Sequence, residues 1–173
     1  MKQNRENPFF ETYRTPFGTP PFDQIETEQY EPAFDEGIWQ LDEEVRAIAD
    51  NTELPTFENT IIALERSGKL LDKVISAFFN VLNAEADDEM MDISQRVSPK
   101  LSESSNNIYL NEQLFARVKS VYDRKDELHL PMEDARLLEK TFEAFCARGA
   151  ALGPEEKEKY RKLSSELSLL SLT

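Results

Sequence analysis

From Tyr30 onward, apolar side chains recur at alternating steps of three and four residues. This rhythm commits the chain to helices that pack on one another. Tyr30, Phe34, Ile38, Leu41, Val45 and Ile48 form one stripe, with acids on the other side. Ile61, Leu64, Gly68, Leu71, Ile75, Phe78 and Leu82 form another, within PTFENTIIALERSGKLLDKVISAFFNVLNA (residues 55–84). Met90, Ile93, Val97, Leu101 and Ile108 follow, with a kink or restart expected at Pro99. Leu114, Phe115, Val118 and Tyr122 come next, then Leu138, Thr141, Phe142 and Phe145, and last Tyr160, Leu163, Leu167 and Leu170. No stretch reads as a strand, and no fixed-period repeat suggests a regular solenoid. The expected fold is all-α: an extended arm over residues 1–22, then about six helices in antiparallel hairpins over residues 23–173.

Local chemistry sets the boundaries. Pro8, Pro16, Pro20 and Pro21 keep the arm out of helix, and Pro16-Phe17-Gly18 signals a turn. Phe9, Phe10, Phe17 and Phe22 are expected to tuck into the helical body. Pro55 and Thr56 mark a helix entrance. Asp87, Asp88 and Glu89 place negative charge where a helix dipole favours it. Asn111 is an N-cap, Pro131 opens a helix that ends near Gly149, and Gly153-Pro154 starts the last one. Gly68 poses a problem, because glycine within a helix costs about 1 kcal/mol relative to alanine. Either Ser67-Gly68 bends or splits the helix, or the missing side chain lets another backbone approach. The last helix carries no stop signal, and its apolar pattern runs to Leu172. The expectation is a truncated lobe.

At 173 residues the chain can bury a sizeable core without disulfides, and its one cysteine, Cys146, forms none internally. The formal charge is −14, and residues 23–53 hold eleven acids against one base, Arg46. Such a surface repels phosphate backbones and anionic lipid, so neither nucleic acid nor membrane is an expected partner. No apolar run approaches the ~20 residues that span a bilayer. With no visible leader, the expected compartment is cytoplasmic, or extracytoplasmic if a leader has been trimmed.

Catalytic chemistry is sparse. A His-Glu-x-x-His zinc site needs two histidines one turn apart, and this chain has only His129, in the turn-like DELHLPMED. Asp42-Glu43-Glu44, Asp87-Asp88-Glu89 and Glu155-Glu156 lack the spacing and central glycine of a calcium loop, and read as solvated helix faces. Cys146, beside Phe145, reads as a small core residue. Five glycines make no phosphate-cradling loop. The residues therefore assign no catalytic or metal site, and they leave substrate-binding residues unknown. By themselves they favour a stand-alone acidic helical protein-interaction module.

Four consecutive blocks point elsewhere: PPFDQIETEQYEPAFDEGI, LPTFENTIIALERSGKLLDKVISAFFNV, SPKLSESSNNIYLNEQLFARVKSVYD and EDARLLEKTFEAF. In this order, from about Pro20 onward, they resemble the N-terminal region of thimet-oligopeptidase-type zinc metallopeptidases. The nearest branch holds peptidyl-dipeptidase (dipeptidyl carboxypeptidase) and oligopeptidase A, and TFENTIIALERSG is the most telling run. The resemblance implies a mostly helical, two-lobed parent several times longer, cleaving short peptides in a deep channel. It places the catalytic zinc on a His-Glu-x-x-His helix in the C-terminal part, matched by no residue here. This region would roof and narrow the channel, be inactive alone, have the missing catalytic region as its partner, and self-associate when severed. The residues do not distinguish dipeptide release from internal cleavage.

Overall fold

The computed structural model describes residues 7–85 and 87–170. Six long helices run in order: α1 (Tyr30–Ala49), α3 (Lys69–Glu85), α4 (Asp88–Tyr109), α5 (Glu112–Tyr122), α6 (Met132–Ala147) and α7 (Pro154–Leu170). A short α2 (Ala63–Arg66), entered through a π-helical turn (Phe57–Ile62), lies between α1 and α3. Among the described residues there is no strand.

Helix α1 is the spine. Its first half enters one core with α3 and α4, built from Tyr30, Ala33, Phe34, Leu71, Val74, Phe78, Ile93 and Val97. Its second half enters another with α5 and α6, built from Val45, Ile48, Ile61, Leu114, Val118, Val121, Leu138 and Phe145. Leu41 packs against both clusters. Edge-on aromatic contacts organise the first core, with Phe34 and Phe78 centred 5.2 Å apart at 84°. In the second core Tyr122 stacks on Phe142 at 3.9 Å.

Side-chain pairs fix the directions. Tyr30 meets Phe78 while Glu44 meets Gly68, so α1 and α3 are antiparallel. Phe115 meets Phe145 while Tyr122 meets Phe142, so α5 and α6 form a second antiparallel pair. Ser102 meets Ser164 while Asn107 meets Arg161, so α7 runs back along α4. Helices α1 and α4 are instead parallel, since Glu31 pairs with Arg96, Asp35 with Lys100 and Asp42 with Ser104.

Residues 55–84 are not one helix. Ser67 is extended (ψ 157°) and Gly68 takes φ +75°, so the chain turns between α2 and α3. The apolar rhythm crosses this break because it serves two cores. Ile61 and Leu64 belong to the second, whereas Leu71, Ile75 and Phe78 belong to the first. Gly68 therefore splits the helix rather than admitting a backbone. A Cβ there meets only the flexible tip of Leu41, at 3.1 Å. The close backbone approach occurs at Gly37, where a Cβ would lie 3.0 Å from the Leu71 Cα.

Pro99 does not restart α4, which runs as one helix from Asp88 to Tyr109 with Pro99 inside it. In the arm, Phe9 is buried and Phe10 packs against the first core, as expected. Phe17 and Phe22 are not tucked in: they are 103% and 50% exposed. Two 3-10 turns (Pro8–Phe10 and Pro16–Gly18) replace a uniformly extended path. Leu172 lies outside the described residues.

Candidate functional site

The run TFENT builds a latch. Thr56 Oγ1 accepts from the Asn59 N–H at 3.1 Å, and Asn59 Oδ1 accepts from the Thr56 N–H at 2.8 Å, closing a capping box. Arg117 reaches this box from α5. Its guanidinium donates to the carbonyls of Asn51 (2.5 Å) and Glu53 (3.0 Å) and to Asn59 Oδ1 (3.1 Å). Arg117 is 7% exposed and is held here by neutral acceptors. Arg124, seven residues further on and just past the end of α5, donates to the Pro55 carbonyl. The loop joining α1 to α2 is thus fastened by two guanidiniums, one on α5 and one in the turn after it. Sequence reading missed Arg117, since a cation inside an apolar stripe gives no sign of which carbonyls it meets.

A lysine fastens the arm. Lys73 Nζ donates to the carbonyls of Phe9 (2.8 Å) and Glu11 (2.7 Å) and sits 3.6 Å over the Tyr13 ring. Burial pushes the Tyr13 phenol up to about 12, with Tyr30 nearby adding to the rise, and burial lowers the Lys73 ammonium below its ordinary value. Asn7 adds a bond from Nδ2 to the Gln29 carbonyl at 2.8 Å.

Helix α7 docks by its polar side. Lys157 pairs with Glu112 at 3.1 Å, Arg161 donates to Asn107 at 3.0 Å, and Asn106 donates to Ser164 Oγ at 2.7 Å. Its leucine stripe consequently faces away from α4, with Leu163, Leu167 and Leu170 at 66, 66 and 68% exposure. At that end of the molecule Phe79, Leu82, Met91, Ser94 and Ser168 line an open cavity of about 510 Å³.

The residues weighed for catalysis are scattered. His129 is exposed in a left-handed turn, φ 47°, ahead of α6. Cys146 is exposed, not in the core. Phe145 takes the buried position, and the next side chain points about 100° away around the helix. The acid clusters serve structure. Asp42 accepts from Ser104 and Glu44 from the Gly68 N–H, Asp87 caps α4 through Met90, and Glu156 accepts from the Gly153 N–H. Among the described residues no three His, Cys, Asp or Glu side chains are grouped to hold a metal ion. No helix among those residues is long and apolar enough to cross a membrane.

This geometry defines a helical body that fastens its own loops, and its relatives are peptidases. The sequence is 43% identical to dipeptidyl carboxypeptidase of Escherichia coli over 165 residues, which are 95% of this chain and 24% of that protein. It is 39% identical to dipeptidyl carboxypeptidase of Salmonella typhimurium, again over 95% of the chain and 24% of the relative. Oligopeptidase A of Escherichia coli is 23% identical over 90% of the chain and 23% of its own length. No family profile matches the chain. The chain belongs to the thimet-oligopeptidase-type peptidase family and corresponds to its N-terminal region. Within that family its similarity is higher to the dipeptidyl carboxypeptidases than to oligopeptidase A. It spans about a quarter of the length of these relatives.

Proposed function

We propose that this chain is the non-catalytic N-terminal region of a zinc-dependent peptidyl-dipeptidase. In this reading it roofs the substrate channel and restricts it to short peptides. The observation that carries the proposal is the 43% identity over nearly the whole chain to one quarter of a dipeptidyl carboxypeptidase. Substrate chemistry then belongs to the remaining length. There a His-Glu-x-x-His helix would hold zinc, which polarises the scissile carbonyl and activates water. What this chain supplies is a stiff wall. The Arg117 and Arg124 latch and the Lys73 strap fix loops that otherwise move, and a channel that selects by size needs walls that do not yield.

The test compares the 173-residue chain with the product of the uninterrupted gene on short blocked peptides. The expected result is no turnover by the chain alone, and release of C-terminal dipeptides by the longer product that chelator abolishes and zinc restores. Chelator-resistant hydrolysis by the 173-residue chain would overturn the reading. So would a longer product lacking peptidase activity with zinc supplied.

The two internally closed cores favour one second reading, a stand-alone acidic interaction module. It requires a monomer that binds no hydrophobic dye, despite the leucines exposed on α7.

A further inference from the structure

We propose that the face of α7 bearing Leu163 and Leu167 is an interface whose occupant is the polypeptide following the N-terminal region in a protein of the relatives' length. The inference rests on the peptidase reading above and adds the surface through which the two parts meet.

The orientation of α7 carries the argument. Helices α3, α5 and α6 bury Leu71, Leu114 and Leu138 against the two cores. Helix α7 does the opposite. It presents Lys157, Arg161 and Ser164 to its neighbours and turns Leu163 and Leu167, one turn apart and each 66% exposed, outward. An amphipathic helix seated on its polar side is stable only if the seam is bonded, as this one is. Its apolar face is then available to a second layer.

Position and charge select the occupant. The cavity lined by Phe79, Leu82, Asn83, Met91, Ser94 and Ser98 reaches α7 at Ser168, one turn beyond Ser164 on the side that meets α4, so the leucines lie on the outer face, beyond this seam. The relatives carry about three-quarters of their length outside the matched region. Chain that continues from α7 is tethered beside this surface at high effective concentration. A second copy is the weaker candidate, because it brings a net charge of −14 against −14.

The test is thiol labelling of Leu167→Cys in a Cys146→Ser background, in the 173-residue chain and in the longer gene product. The expected result is rapid modification in the short chain and at least a tenfold slower rate in the long one. Hydrogen exchange of peptides covering residues 157–168 in the unsubstituted proteins should slow in the same direction. Equal labelling in both lengths would overturn the inference while leaving the peptidase reading intact. Protection already present in the short chain, with a doubled mass in sedimentation, would assign the face to a second copy and also overturn it. A gene product whose intact mass ends near residue 173 would defeat the peptidase reading itself, and this inference with it, before any labelling is done.

Discussion

At Gly37 a Cβ would stand 3.0 Å from the Leu71 Cα and 3.1 Å from its nitrogen, so any side chain forces α1 and α3 apart. At Gly68 the obstacle is conformational: φ is +75°, and the nearest foreign atom is a Leu41 methyl that can rotate away. The two glycines should respond differently to substitution. Gly68→Ala should cost about 1–2 kcal/mol from left-handed strain, and Gly68→Leu about the same. Gly37→Ala should cost about 1–3 kcal/mol through displaced backbone, and Gly37→Leu clearly more. Urea unfolding of the four variants checks this. A steep alanine-to-leucine difference at Gly68 would mean that packing, not φ, governs the site. Arg117 is the other residue on which much depends. Arg117→Met removes donors from the Asn51 and Glu53 carbonyls and from Asn59, and should destabilise by on the order of 3 kcal/mol. Amide exchange should rise first in residues 51–56. Unchanged exchange there would show that the loop holds its shape without the latch.

Among the elements, those whose signals are local were legible. Asn111 caps α5 by accepting from the Leu114 N–H at 2.9 Å, Pro131 precedes α6, and Gly149 follows it with φ +87°. The division of residues 55–84 into α2 and α3 was only half legible. Ser67-Gly68 offers a break, but what fixes it is the Glu44 carboxylate, 24 positions away, accepting from the Gly68 N–H at 2.8 Å. The stripe on α7 was legible as a stripe, whereas the side it turns to solvent depends on the polar seam with α4. For the same reason Arg117 and its latch left no trace in the periodicity. The arm allows a prediction with pH. Tyr13 is neutral in both states below pH 10. As pH rises from its unfolded value of about 10 through its folded value of about 12, only the unfolded state ionises freely, so folding stability falls. Tyr30, also raised by burial, acts in the same direction. Lys73 acts oppositely below its unfolded value, since burial lowers it and the unfolded state then binds the proton more readily. Tyr13→Phe should therefore flatten part of the loss between pH 10 and 12 in thermal melts. Tyrosinate absorbance of the folded chain should lag behind that of free tyrosine over the same range. A Tyr13→Phe variant with an unchanged alkaline profile would remove the strap from the account.

For the molecule as a whole, charge is the least balanced quantity. Residues 23–53 carry eleven acids and one base, and their countercharge comes from α4, where Arg96 meets Glu31 at 3.0 Å and Lys100 meets Asp35 at 2.6 Å. These pairs explain why two parallel helices tolerate contact. They are half-exposed, however, and each is worth about 0–1 kcal/mol. They cannot offset the repulsion from a net charge of −14. The two effects respond oppositely to salt, which screens attraction within pairs and repulsion across the surface alike. Repulsion acts over the greater number of charges, so it should dominate. Raising salt from about 10 mM to 500 mM, which shortens the screening length from about 30 Å to a few ångströms, should raise the melting temperature by a few degrees. Lys100→Glu should lower the melting temperature at low salt and lose most of that effect at high salt. If salt instead lowers the melting temperature of the unsubstituted chain, then the α1–α4 pairs, not the overall charge, set its electrostatics.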